Sequence, residues 1–288
     1  MLIHAFTAQL QNVGVHSRFI DGIVFEPGMQ LDQLCAPIRA LTIYVELTGD
    51  MSILFDRRVQ VGVNTIQQTL AAQRHPEVVL FETLLLPSGE PSIYPYVCFS
   101  NILVWRVLLD IGWLYDHIRD LDRSDEAKKL ATQVREAIME HFVVDGPNGR
   151  MFAQSIDLQG NFEFGDDPAG SLELITYLGF CRPGDSEYAN TVEWIHSEKN
   201  PAAICDKPFA GPSIPGATGP SVLSVVNDLL TGRQDEALDF LRRATLDDGI
   251  ACETVDSQTG AAVTGMAFAS CAGYLAFGLR RALNAKIP

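Results

Sequence analysis

Acidic side chains recur in segments of this sequence that are rich in glycine and proline or that begin predicted helices. Two carboxylates that converge on one cleft supply what acetal cleavage needs, namely an acid for the leaving oxygen and a base or nucleophile at the anomeric carbon. Composition alone does not select the pair. The candidates are Asp32, Glu90, Asp166, Asp167, Asp247, Asp248 and Glu253.

Helix capping is the alternative explanation for three of these acids. Asp32, Asp166 and Asp167 stand where helices are predicted to begin, and a carboxylate there accepts hydrogen bonds from free backbone N–H groups. Capping explains Glu90 and Glu253 less well, because Glu90 lies in a Pro/Gly loop and Glu253 lies in a short apolar run.

Motifs for other chemistries are missing from the sequence. The six histidines show no H-E-x-x-H pattern and no short His/Cys spacing, so we expect no metal site. There is also no G-x-x-x-x-G-K-[ST] loop, no strand followed by G-x-G-x-x-G and no G-x-S-x-G elbow. We therefore expect no cofactor. The six cysteines are widely spaced, and we expect reduced thiols.

The charge balance and hydropathy narrow the choice of partners. With 36 acidic and 21 basic residues, the formal net charge of −15 repels phosphate backbones, so we expect no nucleic-acid partner. No window approaches the roughly 18 uninterrupted apolar residues of a membrane span. Residues 1–11 also lack the pattern of a signal peptide. These features predict no membrane association and a cytoplasmic location.

The elements that must position the acids are predicted to be mainly helical hairpins. Apolar residues recur at helical spacing from Leu31 to Val45, and hairpins are predicted to start near residues 31, 98, 169 and 219, with a lone long helix near 266. Residues 78–97 contain too many Pro and Gly residues for a helix and are predicted to form a long ordered loop. Residues 151–156 and 161–164 are predicted to pair as a small β-ribbon.

This pattern predicts an all-α fold of stacked hairpins, an α/α solenoid or toroid, in a single domain over residues 1–288. Asp166, Asp167 and Pro168 are predicted to open a helix that runs to Phe180. The long loops gathered on one side of such a fold would form the working face.

Several loop motifs resemble, in order, those of the metal-independent exo-α-1,6-mannosidases of glycoside hydrolase family 125. Residues 29–39 are similar to the family's Y-E-L-D-S-L-C-Y-P segment, and residues 86–101 resemble its R-P-S-D-D…P-S-N segment. Residues 165–172 resemble D-D-A-N-x-P-S-L, and residues 249–254 resemble M-H-E-S-F. The likeness covers most of the chain from about Met29.

This resemblance implies an exo-acting, inverting glycoside hydrolase with a carbohydrate substrate and an (α/α) toroid fold. It implies that Glu90 is the general acid and Glu253 the general base, at the carboxyl separation of about 6.5–9.5 Å that inversion requires. It further implies that six side chains bind sugar hydroxyls, namely Asp32, Gln33, Tyr96, Asn101, Asp166 and Asp167.

The sequence also departs from the family's pattern. The family's acidic pair is Gly89-Glu90 here, Cys252 replaces the histidine before the base, and the N-terminal W-x-R-D-S motif has no counterpart. We therefore expect an incomplete toroid of about five hairpins, with a homo-oligomer as one way to complete the ring. The alternative function is a non-catalytic carbohydrate-binding or scaffold protein that keeps the toroid.

Overall fold

The computed structural model describes Phe6 and residues 13–19 and 21–284 of the 288-residue chain. Residues 1–11, in which we expected no signal peptide, lie outside the described part except for Phe6. Eight α-helices are seen in this part of the chain. They are α1 (Leu31–Thr48), α2 (Arg57–Gln73), α3 (Cys98–His117), α4 (Leu121–His141), α5 (Ser186–Ile195), α6 (Val222–Thr231), α7 (Gln234–Arg243) and α8 (Ala269–Asn284).

Short strands connect the helices and pair only in antiparallel sheets of two or three strands. They are β1 (Val15–Arg18), β2 (Val24–Met29), β3 (Tyr96–Val97), β4 (Val143–Gly146), β5 (Gly149–Phe152), β6 (Ser155–Ile156), β7 (Phe162–Glu163), β8 (Ala203–Ile204), β9 (Gly211–Pro212), β10 (Thr254–Val255) and β11 (Ala262–Thr264).

The chain divides into two compact units. Unit 1 comprises Met1–Phe142 and Ser155–Glu163, and unit 2 comprises Val143–Gln154 and Phe164–Pro288. The sequence-based expectation of a single domain over residues 1–288 stays a prediction.

Helix α1 of unit 1 confirms the predicted helical periodicity. Leu31, Leu34, Ile38 and Leu41 are all buried along one face of this helix. The helix ends where Gly49 takes a left-handed conformation and donates its backbone N–H to the carbonyl of Val45. This buried face packs against α3.

The helix after α1 does not follow it directly. Residues Met51–Phe55 form a 3₁₀ turn, and the α-helix begins only at Arg57. Two aspartates cause the break, because Asp50 caps Ser52 and Asp56 caps Arg58.

Helices α3 and α4 form the hairpin at the centre of unit 1. α3 is long and apolar enough to cross a membrane by length and composition, the one such helix found within the described residues, yet 78% of its apolar window is buried. It is therefore the core helix of this unit. The Ser124 hydroxyl of α4 donates to the carbonyl of Gly112 in α3. The two helices approach closely here, since a Cβ atom on Gly112 would lie 2.9 Å from the Lys128 side chain.

One buried carboxylate links α3 to α1. The Asp110 side chain is 1% exposed and accepts hydrogen bonds from the guanidinium groups of Arg39 and Arg106, the second at 2.8 Å. The two guanidinium groups offset the cost of burying this carboxylate.

The predicted β-ribbon is confirmed in part. Strand β6 pairs with β7 through Ser155↔Glu163 and Ile156↔Phe162, within the two segments that were expected to pair. The preceding strand β5 pairs instead with β4, because Gly149 at φ +100° closes a tight turn between them.

Helix α6 lies at the centre of unit 2 and packs against α7 and α8. Gly278 allows α8 to approach α6 closely, since a Cβ atom on this glycine would lie 2.7 Å from Val226. Val222, Val226 and Leu229 of α6 are buried in this core.

The prediction of a helix from Asp166 to Phe180 is wrong. The chain forms two 3₁₀ turns instead, Pro168–Gly170 and Leu172–Ile175. The Asp167 carboxylate caps the first turn at the N–H of Ala169, and the Ser171 hydroxyl caps the second at the N–H of Glu173. Two caps four residues apart restart the helix before it completes a second turn.

We expect Asp110→Ala to lower the free energy of unfolding by about 2–3 kcal/mol. The loss is below that of a fully buried pair because Arg39 and Arg106 are 21% and 30% exposed and become hydrated. Urea denaturation measures the change. Asp239→Ala is the control, since it removes an exposed pair with Arg243 and should cost less than about 1 kcal/mol. Equal losses in the two variants would contradict this account of Asp110.

Candidate active site

The segment that contains Asp32 and Gln33 starts helix α1 of unit 1. Asp32 stands in the first turn rather than at the cap, which is Gln30, so capping does not explain this acid. The Gln33 amide donates to the Asp32 carboxylate at 3.3 Å, and both side chains are half-buried. The pair thus lies at the beginning of α1 with its position set by the helix.

The loop that contains Glu90 is a tight turn. The Leu86 N–H donates to the carbonyl of Glu90 at 2.7 Å, the Gly89 N–H donates to the carbonyl of Leu86 at 2.9 Å, and Gly89 has a φ of +93° that favours glycine. The Glu90 side chain is exposed. A glycine is therefore needed where the family resemblance expects an acid, because the turn is built on its conformation.

Unit 1 holds these two segments side by side. The Gln30 amide donates to the carbonyl of Leu86 at 2.5 Å, and the Leu84 N–H donates to the carbonyl of Met29 at 3.4 Å. The start of α1 and the Glu90 turn are thus fastened to each other by the Gln30 side chain and by one backbone hydrogen bond.

Tyr96 and Asn101, two of the residues expected to bind sugar, are buried and bonded internally. The Tyr96 hydroxyl donates to Glu82 at 2.8 Å, and burial together with this bond raises the pKa of Tyr96. The Asn101 amide donates to the carbonyls of Phe81 and Val97 and accepts from the N–H of Phe81. These contacts hold the loop before α3, and a sugar-binding role for the two residues stays a prediction.

Glu253 of unit 2 is held between the start of α6 and strand β11. Its N–H donates to the carbonyl of Thr264 at 3.0 Å, and its carbonyl accepts from the N–H of Val222 at 2.9 Å. The Thr264 hydroxyl donates to a Glu253 carboxylate oxygen at 3.1 Å. A Cβ atom on Gly265 would lie 2.4 Å from the Cβ atom of Glu253, so only glycine fits beside it.

Asp166 and Asp167 of unit 2 are both buried. Asp167 caps a 3₁₀ turn, as the capping explanation expects. Asp166 accepts from the N–H of Leu172 at 3.0 Å through Oδ1, while its buried Oδ2 has no hydrogen-bond partner among the described residues. Burial, with a smaller contribution from the charge of Glu173, raises the pKa of Asp166 to about 8.

A buried cluster that the sequence did not indicate lies nearby in unit 2. It comprises Glu173, His196, Asp228 and Arg233, which are far apart in the chain. His196 Nε2 is hydrogen-bonded to Glu173 Oε1 and lies 3.7 Å from Asp228 Oδ1. Arg233 Nε lies 3.0 Å from the same Asp228 oxygen. No motif spacing could have revealed it, since the fold alone brings these side chains together.

The charges of this cluster shift one another's titration. Burial alone would lower the pKa of His196, but Glu173 and Asp228 together outweigh it and raise that pKa. Burial, and after it the charge of Glu173, raises the pKa of Asp228 to about 7. Carboxylates that are this strongly perturbed are more frequent at functional sites than elsewhere.

The raised pKa of Asp166 predicts a pH-dependent effect of Asp166→Asn. The pKa in the unfolded chain is about 3.9, so between about pH 4 and pH 8 the unfolded chain releases a proton that the folded protein keeps. The wild type therefore loses stability as the pH rises through this window. The variant keeps the Oδ1 acceptor and does not have this loss.

We expect Asp166→Asn to match the wild type in free energy of unfolding near pH 4 and to exceed it by a few kcal/mol, at most about 5, near pH 8. Urea denaturation at pH 4, 6 and 8 gives the three differences. A difference that stays constant over these pH values would show that the Asp166 carboxyl is not held protonated by burial.

Solved structures of glycosidases share this fold. A Streptococcus pneumoniae metal-independent alpha mannosidase, in a non-productive complex with alpha-1,6-mannobiose, has a TM-score of 0.85 at 18% identity and covers 99% of this chain and 78% of its own. The glucoamylase of Saccharomycopsis fibuligera has a TM-score of 0.70 at 14% identity, over 99% of this chain and 80% of its own.

A bacterial glucoamylase complexed with acarbose has a TM-score of 0.68 at 15% identity, over 97% of this chain and 45% of its own. These neighbours are (α/α) toroid glycosidases, which confirms the predicted helical-hairpin fold class. At such low identities the likeness shows the fold alone.

Comparison at the sequence level shows the family. No curated protein sequence matches this chain. The profile of one family does match, over residues 55–277, and this stretch contains Glu90, Asp166 and Glu253. The match covers well over half of the chain, which therefore belongs to the metal-independent alpha-mannosidase family GH125, a family of glycoside hydrolases.

Proposed function

We propose that this chain hydrolyses a terminal α-mannosidic bond, acting from the chain end with inversion at the anomeric carbon. The observation that carries the proposal is the family match across residues 55–277, a stretch that contains both Glu90 and Glu253. The mannobiose complex of the pneumococcal relative supports an α-1,6-linked mannoside as the substrate to test.

In this proposal Glu90 is the general acid. Its turn is fastened by backbone hydrogen bonds from Leu86 and Gly89, and its side chain is exposed, as an acid that must reach a glycosidic oxygen requires. It gives its proton to the leaving oxygen as the bond from that oxygen to the anomeric carbon breaks.

Glu253 is the general base. The Thr264 hydroxyl holds one oxygen of the Glu253 carboxylate, which leaves the other oxygen to bind the water in this proposal. That water attacks the anomeric carbon from the face opposite the leaving group and gives its proton to Glu253. Asp32, Gln33, Asp166 and Asp167 belong to the proposal as side chains that bind the sugar hydroxyls.

The stereochemistry of the first product tests inversion. Hydrolysis of 4-nitrophenyl α-mannoside, followed by proton NMR within the first minutes, should show β-mannose before mutarotation yields the α anomer. The initial appearance of α-mannose would contradict an inverting mechanism, because retention needs a covalent intermediate on one of the two carboxylates.

The dependence on the leaving group separates the two glutamates. We expect Glu253→Gln to lower kcat by about 10²–10⁴-fold on both α-1,6-mannobiose and 4-nitrophenyl α-mannoside. Glu90→Gln should cause a similar loss on mannobiose but a much smaller one on the aryl substrate, because nitrophenolate leaves without a proton. Equal losses for Glu90→Gln on the two substrates would contradict its role as the acid.

A second candidate function is carbohydrate binding without catalysis. The departures from the family's motifs favour it, since Gly89 stands in place of one acid of the family's acidic pair and Cys252 in place of the histidine before the base. Under this alternative, mannose or mannobiose raises the melting temperature while no mannose is released from either substrate. Hydrolysis that Glu253→Gln abolishes would exclude it.

A further inference from the structure

Three potential metal ligands of unit 2 converge from separate elements. Glu173 lies in the second 3₁₀ turn, His196 follows the last turn of α5, and Asp228 lies on α6. One ligand atom from each side chain lies within 4.8 Å of the other two. An imidazole nitrogen and two carboxylate oxygens form a donor set that divalent transition-metal ions accept.

One carboxylate oxygen of Glu173 is available for a ligand. Its side chain is 1% exposed, and its Oε1 is bonded to His196, but its buried Oε2 has no hydrogen-bond partner in the part of the chain that the structure describes. A carboxylate oxygen buried without a partner loses its hydration and gains nothing in return. A cation between the three side chains that Glu173 binds through both oxygens would supply the missing interaction.

A cavity of about 270 Å³ adjoins the cluster. His196 and Asp228 line it, together with the polar side chains of Ser221 and Ser224. A metal ion with three protein ligands keeps an open coordination position for water or a ligand oxygen. Here the cavity has room for a water molecule at the open coordination position.

We propose that Glu173, His196 and Asp228 bind one divalent metal ion of the Zn²⁺ class. Zinc bonds of about 2.0–2.2 Å place tetrahedral ligand atoms roughly 3.3 Å apart. This spacing lies between the direct Glu173–His196 hydrogen bond and the 3.7 Å from His196 to Asp228. Small side-chain shifts therefore admit the ion.

The proposed ion stabilises unit 2 and takes no part in hydrolysis. The proposed chemistry uses Glu90 and Glu253, neither of which belongs to the cluster, and the family itself is metal-independent. The inference thus stands or falls separately from the proposed mannosidase activity. Because the ion binds a site that exists only in the folded chain, it raises the melting temperature.

Arg233 competes with the proposed ion for the Asp228 carboxylate. Its Nε lies 3.0 Å from Asp228 Oδ1, and its side chain is 39% exposed, so it reaches solvent when Asp228 turns to the metal. Replacing it with methionine removes a positive charge beside the site while keeping an apolar side chain of similar length. Arg233→Met should therefore tighten metal binding, whereas loss of a ligand should weaken it.

The test is calorimetric titration of the EDTA-treated 288-residue chain with Zn²⁺, together with the visible spectrum of the Co²⁺ form. We expect one ion per chain and a Co²⁺ band typical of four- or five-coordinate cobalt with a nitrogen ligand. Glu173→Gln, His196→Gln and Asp228→Asn should each weaken Zn²⁺ binding by more than about 100-fold, beyond the 10–100-fold typical of an outer-shell partner. Arg233→Met should strengthen it.

His141→Gln is the control, since this histidine lies on α4 of unit 1, outside the cluster, and should leave binding unchanged. The proposal is overturned if the wild type shows no saturable binding, or if His196→Gln binds Zn²⁺ as the wild type does. In that case His196 is only the cation of a buried ion-pair network. Should a ligand variant fail to fold, the wild-type Co²⁺ spectrum and Arg233→Met still decide, since an unchanged affinity in Arg233→Met also contradicts the site.

Discussion

Loops without regular structure must satisfy their own backbone polar groups. The segments that contain Glu90 and Glu253 depend on this constraint. In unit 1 the Glu90 turn does so through Leu86 and Gly89 and is fastened to the start of α1 by Gln30. In unit 2 the backbone of Glu253 bonds to Val222 and Thr264. Glu90 is therefore positioned by hydrogen bonds within its own turn and by the Gln30 side chain, and Glu253 by main-chain hydrogen bonds to the first residue of α6 and to strand β11.

The sequence predicted those elements whose apolar periodicity agrees with their packing. Helix α1 was predicted from Leu31, and its buried face follows that spacing; residues 78–97 were correctly predicted to be an ordered loop. Prediction failed at residues 166–180, because this segment contains two capping residues where one was expected to start a single helix. Asp167 and Ser171 each start a turn, and a side chain that caps a new turn competes with the continuing helix. Periodicity shows which face is apolar but not how often the backbone restarts.

For the candidate site, neither residue type nor the resemblance to a family shows which polar groups form hydrogen bonds within the fold. Tyr96 and Asn101 have the polar atoms that a sugar needs, yet both side chains are bonded inside unit 1. A sequence shows that a side chain is polar but not whether the fold has already used its hydrogen bonds. The cluster around Glu173 was missed for the complementary reason. Its members come from separate elements, so only packing creates the proximity that a short motif would have revealed.

The buried acids of unit 2 lower the stability of the fold, and this loss of stability indicates that they have a function. The pKa of Asp166 is raised to about 8 and that of Asp228 to about 7, mainly by burial, so each is held where its charged form is disfavoured. Replacing buried ion pairs with well-packed apolar residues is often neutral or stabilising. A core that keeps such acids, with oxygens on Asp166 and Glu173 that have no hydrogen-bond partner among the described residues, is therefore less stable than it needs to be for folding alone. In the two proposals made above, a sugar hydroxyl at Asp166 and a cation at Glu173 satisfy these oxygens and turn this cost into binding energy.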